Sequence, residues 1–417
     1  MTSLMTNTSS MVALQTLRTI NSSLDQTNNR VSTGLRVNSA SDNAAYWSIA
    51  TTTRSDNGAL GAVKDSLGLA KSSVDTVNTG LDTVRTALQK VKEKLITAAS
   101  PDADRAKLQT EIGSLLNELK NNAQSTVISG SNWLAVDSSA ANYNATKAVV
   151  ASFSRTGDSV QVDTIDIDTS AFKLLDDNST VHTAVDAAVT TASATYTTAA
   201  TTATTTYTTA KTTATTAYDT AIGTADTTFA GSAMDAAAVA ARDAAYATAK
   251  NTRDAAFATA ETAKKTALDG AVLALKNSLG ASGTDSLGIL DKSRVAATDS
   301  GTATVSSIMD IDVSSLTSSQ ADLDKIANYT SIVDAALSDL TDASTSLGST
   351  ASRIESQTNF VQALQDANNR AIGALVDANM EEESTRLKAL QTQQQLAVQS
   401  LGIANSSSQS VLSLFRG

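Results

Sequence analysis

The chain of 417 residues has no cysteine, one proline and one histidine. Without cysteine there are no disulfides, thiolate metal sites or thiol nucleophiles. His182 lies at the edge of a Thr/Ala tract with no spaced partner, so no catalytic role is expected of it. An average chain of this length would hold roughly twenty prolines. Here Pro101 stands alone, as suits a chain that is mostly helix, because proline removes an amide donor and kinks helices. Aromatic residues are only 4%, too few for a thick globular core. Asp and Glu outnumber Lys and Arg by 42 to 31, giving a formal charge of −11 that argues against a nucleic-acid partner. No run of about 18 apolar residues is present to span a membrane. Met1 to Ile20 has neither a basic start nor an unbroken apolar run, so any export is expected to bypass the general secretory signal. Gly-rich phosphate loops followed by Lys-Ser/Thr are missing too. No enzyme, cofactor or metal site is expected.

What the chain does have is helical periodicity. Leu60, Val63, Leu67, Ala70, Val74, Val77, Leu81, Val84, Leu88, Val91 and Leu95 are spaced alternately three and four apart. Such a 3.5-residue repeat forms a seam that winds around partner helices. A helix from Leu60 to Ala98 would reach ~58 Å at 1.5 Å per residue. Leu108, Ile112, Leu115 and Leu119 mark a second helix after Pro101, which sits where a helix can begin. Leu323, Ile326, Val333, Leu337, Leu340, Leu347, Ala351, Ile354 and Val361 keep the same phase. Met380, Leu387, Leu390, Gln394, Ala397, Leu401, Ala404 and Val411 carry it almost to the C-terminus, with Gln394 and Ser408 as polar seam positions that fix register. A looser version near the N-terminus uses Met11, Leu14, Leu17, Leu24 and Val31. The two ends of the chain are expected to lie side by side. Leu14, Leu17, Leu24, Val31, Leu387, Leu390, Gln394, Leu401 and Val411 are the candidate polymerisation seam.

Between these ends the pattern changes twice. Ser159 to Asp168 alternates polar and apolar residues, which predicts a strand with one buried face. Ser306 to Val313 ends similarly in Asp310-Ile311-Asp312-Val313, so the two segments are expected to pair or to flank the middle symmetrically. Their carboxylates lack the spacing of a calcium loop and are explained by solvated strand faces. The middle itself is rich in Ala and Thr and repeats every eleven residues. Tyr196, Tyr207, Tyr218 and Phe229 share one phase; Tyr246, Phe257, Leu268 and Leu279 share another, with a break near Gly231. An 11-residue repeat gives a nearly straight seam. The prediction is two antiparallel helices over 183–229 and 234–279, with Tyr196, Tyr207, Tyr218, Phe229, Tyr246, Phe257 and Leu268 filling their seam.

Several segments carry a family signature. Asn28 to Ala50, reading NNRVSTGLRVNSASDNAAYWSIA, resembles the N-terminal signature of bacterial flagellins. So do Leu88 to Glu93, Ile128 to Leu134 and the closing region from Asp310 through Ala367-Asn368-Asn369-Arg370 to Gly417. The Asn43 to Ser48 run is similar to the alphaproteobacterial, rhizobial-type branch. The resemblance covers residues 1–177 and 303–417, and the middle matches no family motif.

The resemblance implies a mostly α, elongated, multi-domain coiled-coil rod with a small β-hairpin region and a variable outer domain built from a long antiparallel helical hairpin. Residues 1–42 and 375–417 would be terminal coiled-coil helices at the filament core. Residues 43–177 and 303–374 would be a helical bundle with a β-hairpin, its packing carried by Leu60, Val63, Leu67, Val74, Val77, Leu81, Val84, Leu88, Val91 and Leu95. Residues 178–302 would be the outer domain. The implied function is a structural subunit of the swimming filament, exported unfolded by the flagellar type III apparatus to the cell exterior. Implied partners are other copies or other flagellins, an export chaperone, the cap and hook-junction proteins, with no nucleic acid and no membrane. The alternatives are a hook–filament junction protein of the same superfamily and a coiled-coil surface adhesin. In many flagellins an Arg-rich stretch contacts an innate immune receptor. The matching positions here are Gln89, Lys90, Lys92 and Glu93, where lysine keeps charge but loses bidentate hydrogen bonding. The epitope sensed by plants matches 29–50, with Ser41, Asn43 and Tyr46 replacing residues of the strongly recognised form.

Overall fold

The computed structural model describes residues 7–128, 130–156, 159–298 and 300–414, with side chains through 406. In chain order the elements are α1 (Thr8–Thr33), α2 (Ala44–Ala98), α3 (Arg105–Ser125), β1 (Val127–Ile128), β2 (Ser131–Asn132), β3 (Ala135–Val136), β4 (Thr146–Thr156), β5 (Ser159–Asp168) and β6 (Leu175–Asp176). They continue with α4 (Ser179–Ala230), α5 (Ala236–Ala281), β7 (Arg294–Ala297), β8 (Ala303–Ser306), α6 (Gln320–Val376) and α7 (Met380–Leu414). The chain is predominantly helical. Its strands form only two-stranded sheets among the described residues, β1 with β2, β3 with β6, β4 with β5 and β7 with β8.

The chain divides into two compact units, one of residues 1–68, 150–164 and 355–417 and the other of residues 69–149 and 165–354. In the first, α1 is opened by Asn7, whose side chain accepts from the Ser10 amide at 3.0 Å. It is closed by Gly34 at φ 71, a left-handed conformation that a residue without Cβ adopts freely. Helices α1 and α7 pair antiparallel, as three contacts fix. Asn7 Nδ2 donates to the Ala404 carbonyl (3.0 Å), Gln394 Nε2 to Asn21 Oδ1 (2.7 Å), and Arg30 meets Glu383 at 3.0 Å. Beyond the pair, Val37, Ala50, Ile372 and Val376 form a small core. The Arg36 and Val37 amides both donate to the Val376 carbonyl.

In the second unit, Val74, Val77, Leu81, Val84, Leu88, Val91 and Leu95 of α2 are each at most 1% exposed. From α6, Ile326, Val333, Leu340, Leu347 and Ile354 are buried to the same degree at strict seven-residue spacing. Leu60, Val63 and Leu67 continue the α2 stripe within the first unit, at 2%, 4% and 0% exposure. A buried residue every half-heptad keeps one face of a long helix covered, which is what sustains 55 residues of α2 without proline or a cap in its interior. Pro101 is not the first residue of α3. It lies in the turn after Ala98, and Asp104 caps α3 by accepting from the Lys107 amide at 3.1 Å. The turn still needs an end to α2, which proline supplies.

The strand expected over 159–168 is present as β5, but it does not pair with 306–313. It pairs with β4 immediately before it, and residues 307–313 form no strand. A local hairpin closes a short loop, whereas pairing across some 140 residues would cost more chain entropy. Burial along β5 is one-sided only at its end, where Ile165 and Ile167 are 6% and 2% exposed, while Val160 and Val162 are 53% and 51% exposed.

Candidate assembly surface and outer hairpin

The α1–α7 pair is where the seam residues meet. Leu17, Leu24 and Val31 of α1 and Leu387, Leu390, Gln394 and Leu401 of α7 are half-buried along it. Leu14 lies off this face. It is 41% exposed, while Ala13 and Ile20 take the positions turned towards α7. The α1 face turned inward is Asn7, Ser10, Ala13, Leu17, Ile20, Leu24, Thr27 and Val31, and the small or polar residues among them make it faint in the pattern of large apolar ones. The side chains of Val411 and Ser408 are outside the described residues. At the far end of the pair, Glu383 is 7% exposed and Thr27 is 3% exposed. The acidic first turn of α7, Glu381 to Glu383, sits against the positive end of its own helix dipole, with the Glu381 amide donating to Asn379 Oδ1 at 3.1 Å.

Pairing does not consume the apolar surface of these helices. Met11, Val12 and Leu14 of α1 are 63%, 64% and 41% exposed, and Leu396, Val398 and Ile403 of α7 are 59%, 53% and 70% exposed. With 100° per residue, Met11 points opposite the α7-facing stripe, and Val12 and Leu14 to its two flanks. Apolar side chains left on the outward side of a paired helix are ones that expect further cover.

The outer hairpin, within the second unit, is built on caps at both helix starts. Asn178 accepts from the Val181 amide, and Asp235 from the Ala238 amide at 2.8 Å. The two helices follow the expected spans to within a turn at each end, and the link between them includes Met234 at φ 51. Tyr196 is 7% exposed and Leu268 6%, while Tyr207, Tyr218, Phe229, Tyr246 and Phe257 are half-buried.

The seam also contains cations that the apolar pattern does not reveal. The Arg242 guanidinium lies 4.6 Å over the Phe229 ring, that of Arg253 lies 4.6 Å over Tyr218, and the Lys264 ammonium lies 5.2 Å over Tyr207. Each step of eleven residues forward on α4 is a step of eleven back on α5. The next rung in the same register joins Tyr196 to Leu275, an apolar cluster in which the Tyr196 hydroxyl donates to the Gly301 carbonyl at 2.9 Å. Burial pushes the Tyr196 phenol above its usual range. The apolar pattern leaves out the three cations, although they are themselves spaced by eleven, the signal that marks them in the sequence.

Threonine, a modest helix former, is reconciled with α4 by its hydroxyls. Thr197, Thr201, Thr208, Thr215 and Thr224 each donate to the carbonyl four residues earlier at 2.8–2.9 Å. That satisfies the polar group locally.

Of the receptor-like stretch, Gln89, Lys90 and Glu93 are not paired with one another along the helix face, and Lys92 is paired with Asp334 at 2.6 Å. Tyr46 is 40% exposed, with the Arg36 guanidinium 5.9 Å over its ring. Among the described residues no group of three His, Asp or Glu side chains could hold a metal ion. Nor is any described helix long and apolar enough to cross a membrane.

Long helices that pair at the chain ends and retain apolar side chains on their outer faces define a class of self-associating helical subunits. Comparison with known proteins makes the assignment specific. Residues 4–138 match the bacterial flagellin N-terminal helical region, and residues 330–415 match the C-terminal helical region. Flagellin A of Rhizobium meliloti is 42% identical over the whole of both chains, and Flagellin C of Rhizobium meliloti strain 1021 is 37% identical, again over the whole of both. A flagellin of Brucella melitensis biotype 1 is 32% identical over the same full coverage. The chain belongs to the bacterial flagellin family, of the rhizobial type, and is a structural subunit of the flagellar filament. The hook-junction and adhesin alternatives are not favoured by matches of this extent.

Proposed function

We propose that the exposed apolar side chains of α1 and α7 are the surface through which copies of this chain polymerise, placing residues 1–42 and 375–417 at the filament core. The observation that carries this is the exposure of Met11, Val12, Leu396 and Ile403 on a helix pair that already shares an interface of its own. Burying what remains exposed on such side chains is worth roughly 1 kcal/mol or more apiece. In this reading residues 43–177 and 303–374 form the surrounding helical bundle, and 178–302 form the outer domain with its hairpin in solvent. The pair orders fully only when neighbours cover both of its sides, since a lone two-helix contact scarcely offsets the entropy of ordering its residues. The subunit leaves the cell by the flagellar export apparatus, with an export chaperone, the cap and hook-junction proteins as partners, and other flagellins as co-subunits.

Electron microscopy of cells lacking the gene tests the role. Loss or alteration of long helical filaments is the expected result, and filaments normal in length and form would contradict it.

A further inference from the structure

Both legs of the outer hairpin join the rest of the second unit through a narrow neck. The Leu174 and Leu175 amides donate to the Leu134 carbonyl at 2.7 and 3.0 Å, and the Ile289 and Leu290 amides donate to the Lys173 and Leu174 carbonyls at 2.9 Å each. The two segments approach so closely that a Cβ at Gly288 would overlap the Leu174 carbonyl. Charged groups are packed into this junction. Asp176 is wholly buried; its carboxylate meets Lys173 Nζ at 2.6 Å and accepts from the Ser138 amide at 2.8 Å. Lys173 spends a second donor on the Ser286 carbonyl at 2.6 Å. Asp291, on the returning leg, accepts from the Asp176 amide at 2.8 Å. The ring of His182, at the start of α4, lies 2.7 Å from the Asp176 carbonyl oxygen, and the Ser307 hydroxyl donates to Asp310 at 2.5 Å. Nearby, Lys292 is engaged by Asp285 at 2.5 Å.

Two buried cations face this junction, and both are engaged elsewhere: Lys173 is held by Asp176, and Arg294 by Asp339 and the Ile289 and Lys292 carbonyls on either side of Asp291. We propose that the neck is a pH-responsive joint, closed while Asp291 is protonated and loosened when Asp291 ionises and draws in water. Burial pushes the Asp291 carboxyl up to about 6, and the carboxylates of Asp176 and Asp310 push the same way, against the Asp176 amide and the His182 ring. A folded value near 6 lies above the ordinary 3.8, so what Asp291 contributes to the closed neck is full below pH 3.8 and is lost as pH rises to 6. The joint is tighter near pH 5 than at neutral pH through Asp291, while the Asp176–Lys173 pair, whose carboxylate is held below its usual range, weakens it only in stronger acid.

Hydrogen exchange on the full-length chain reads this directly. Protection of amides in 173–182 and 286–291, corrected for the intrinsic pH dependence of exchange, is expected to fall about tenfold between pH 5 and 7.5 and to level off above the Asp291 titration midpoint near 6. Asp291→Asn, which keeps the acceptor for the Asp176 amide and cannot ionise, is expected to stay protected at both values. Asp310→Asn, which removes one neighbouring negative charge, is expected to move the midpoint lower. Protection independent of pH in the unaltered chain, or an unchanged pH dependence in Asp291→Asn, would overturn the proposal. An unmoved midpoint in Asp310→Asn would overturn the role assigned to Asp310.

Discussion

At the scale of single residues, the outer hairpin turns on pairs of opposite character. Arg253 stacks over Tyr218 and also lies 5.7 Å from the Phe257 ring, while its guanidinium contacts Asp254 at 2.6 Å. Replacing Arg253 by Met keeps the apolar stem and removes the charge. The expected loss is about 1 kcal/mol, the usual size of a half-shielded cation–π contact, read as a lower melting temperature of the hairpin by circular dichroism. An unaltered melt would show that the stem alone packs the seam. Gly288 is the more severe case. With the Leu174 carbonyl where a side chain would go, Gly288→Ala must push apart the hydrogen-bonded segments on either side, and proteolysis at the neck is expected to accelerate. The rings of this hairpin were legible in the sequence because few aromatic residues compete with them. Arg242, Arg253 and Lys264 lie outside the apolar pattern, although their spacing equals that of the rings.

At the scale of elements, periodicity predicted more than pairing did. The heptads of α2 and α6 and the hendecads of α4 and α5 appear as continuous helices, because a helix is local and its buried stripe repeats in the sequence. Strand partners are not local. β5 was visible by alternation, its partner β4 was not, and the four-residue strands β7 and β8 carry too few positions to show a period. The register of α4 against α5 leads to a test that belongs to this scale. Removing 208–218 together with 243–253 takes one rung out of each leg and leaves Phe229 facing Arg242 and Tyr207 facing Lys264. This shortened chain is expected to keep cooperative unfolding of the hairpin. Removing 208–218 alone puts rings against the wrong partners and is expected to lower the hairpin's melting temperature by several degrees more than the paired deletion. Equal melting of the two would mean that register does not hold the hairpin.

For the whole molecule, the family matches at both chain ends give the function, and the surface proposed on α1 and α7 is the means by which the chain would perform it. The seam was only partly legible. Large apolar residues marked α7 well, whereas in α1 the face turned to its partner is made of Ala13, Ser10 and Thr27 as much as of leucine, and Leu14 points elsewhere. That division gives the two faces different consequences. Polar substitution on the shared face should impair the pair itself. On the outward face it should spare the folded chain and stop its growth into filaments.

Seeded assembly of purified chains carrying Met11→Asp and Ile403→Asp, followed by sedimentation and electron microscopy, separates these outcomes. Both positions are more than 60% exposed, so helix content and the melting of the rest of the chain should be unchanged. Each buried charge should cost an assembly contact at least about 2 kcal/mol, raising the critical concentration more than tenfold. Filaments formed at the normal concentration by the double variant would show that these outward faces of α1 and α7 are not the surface of assembly.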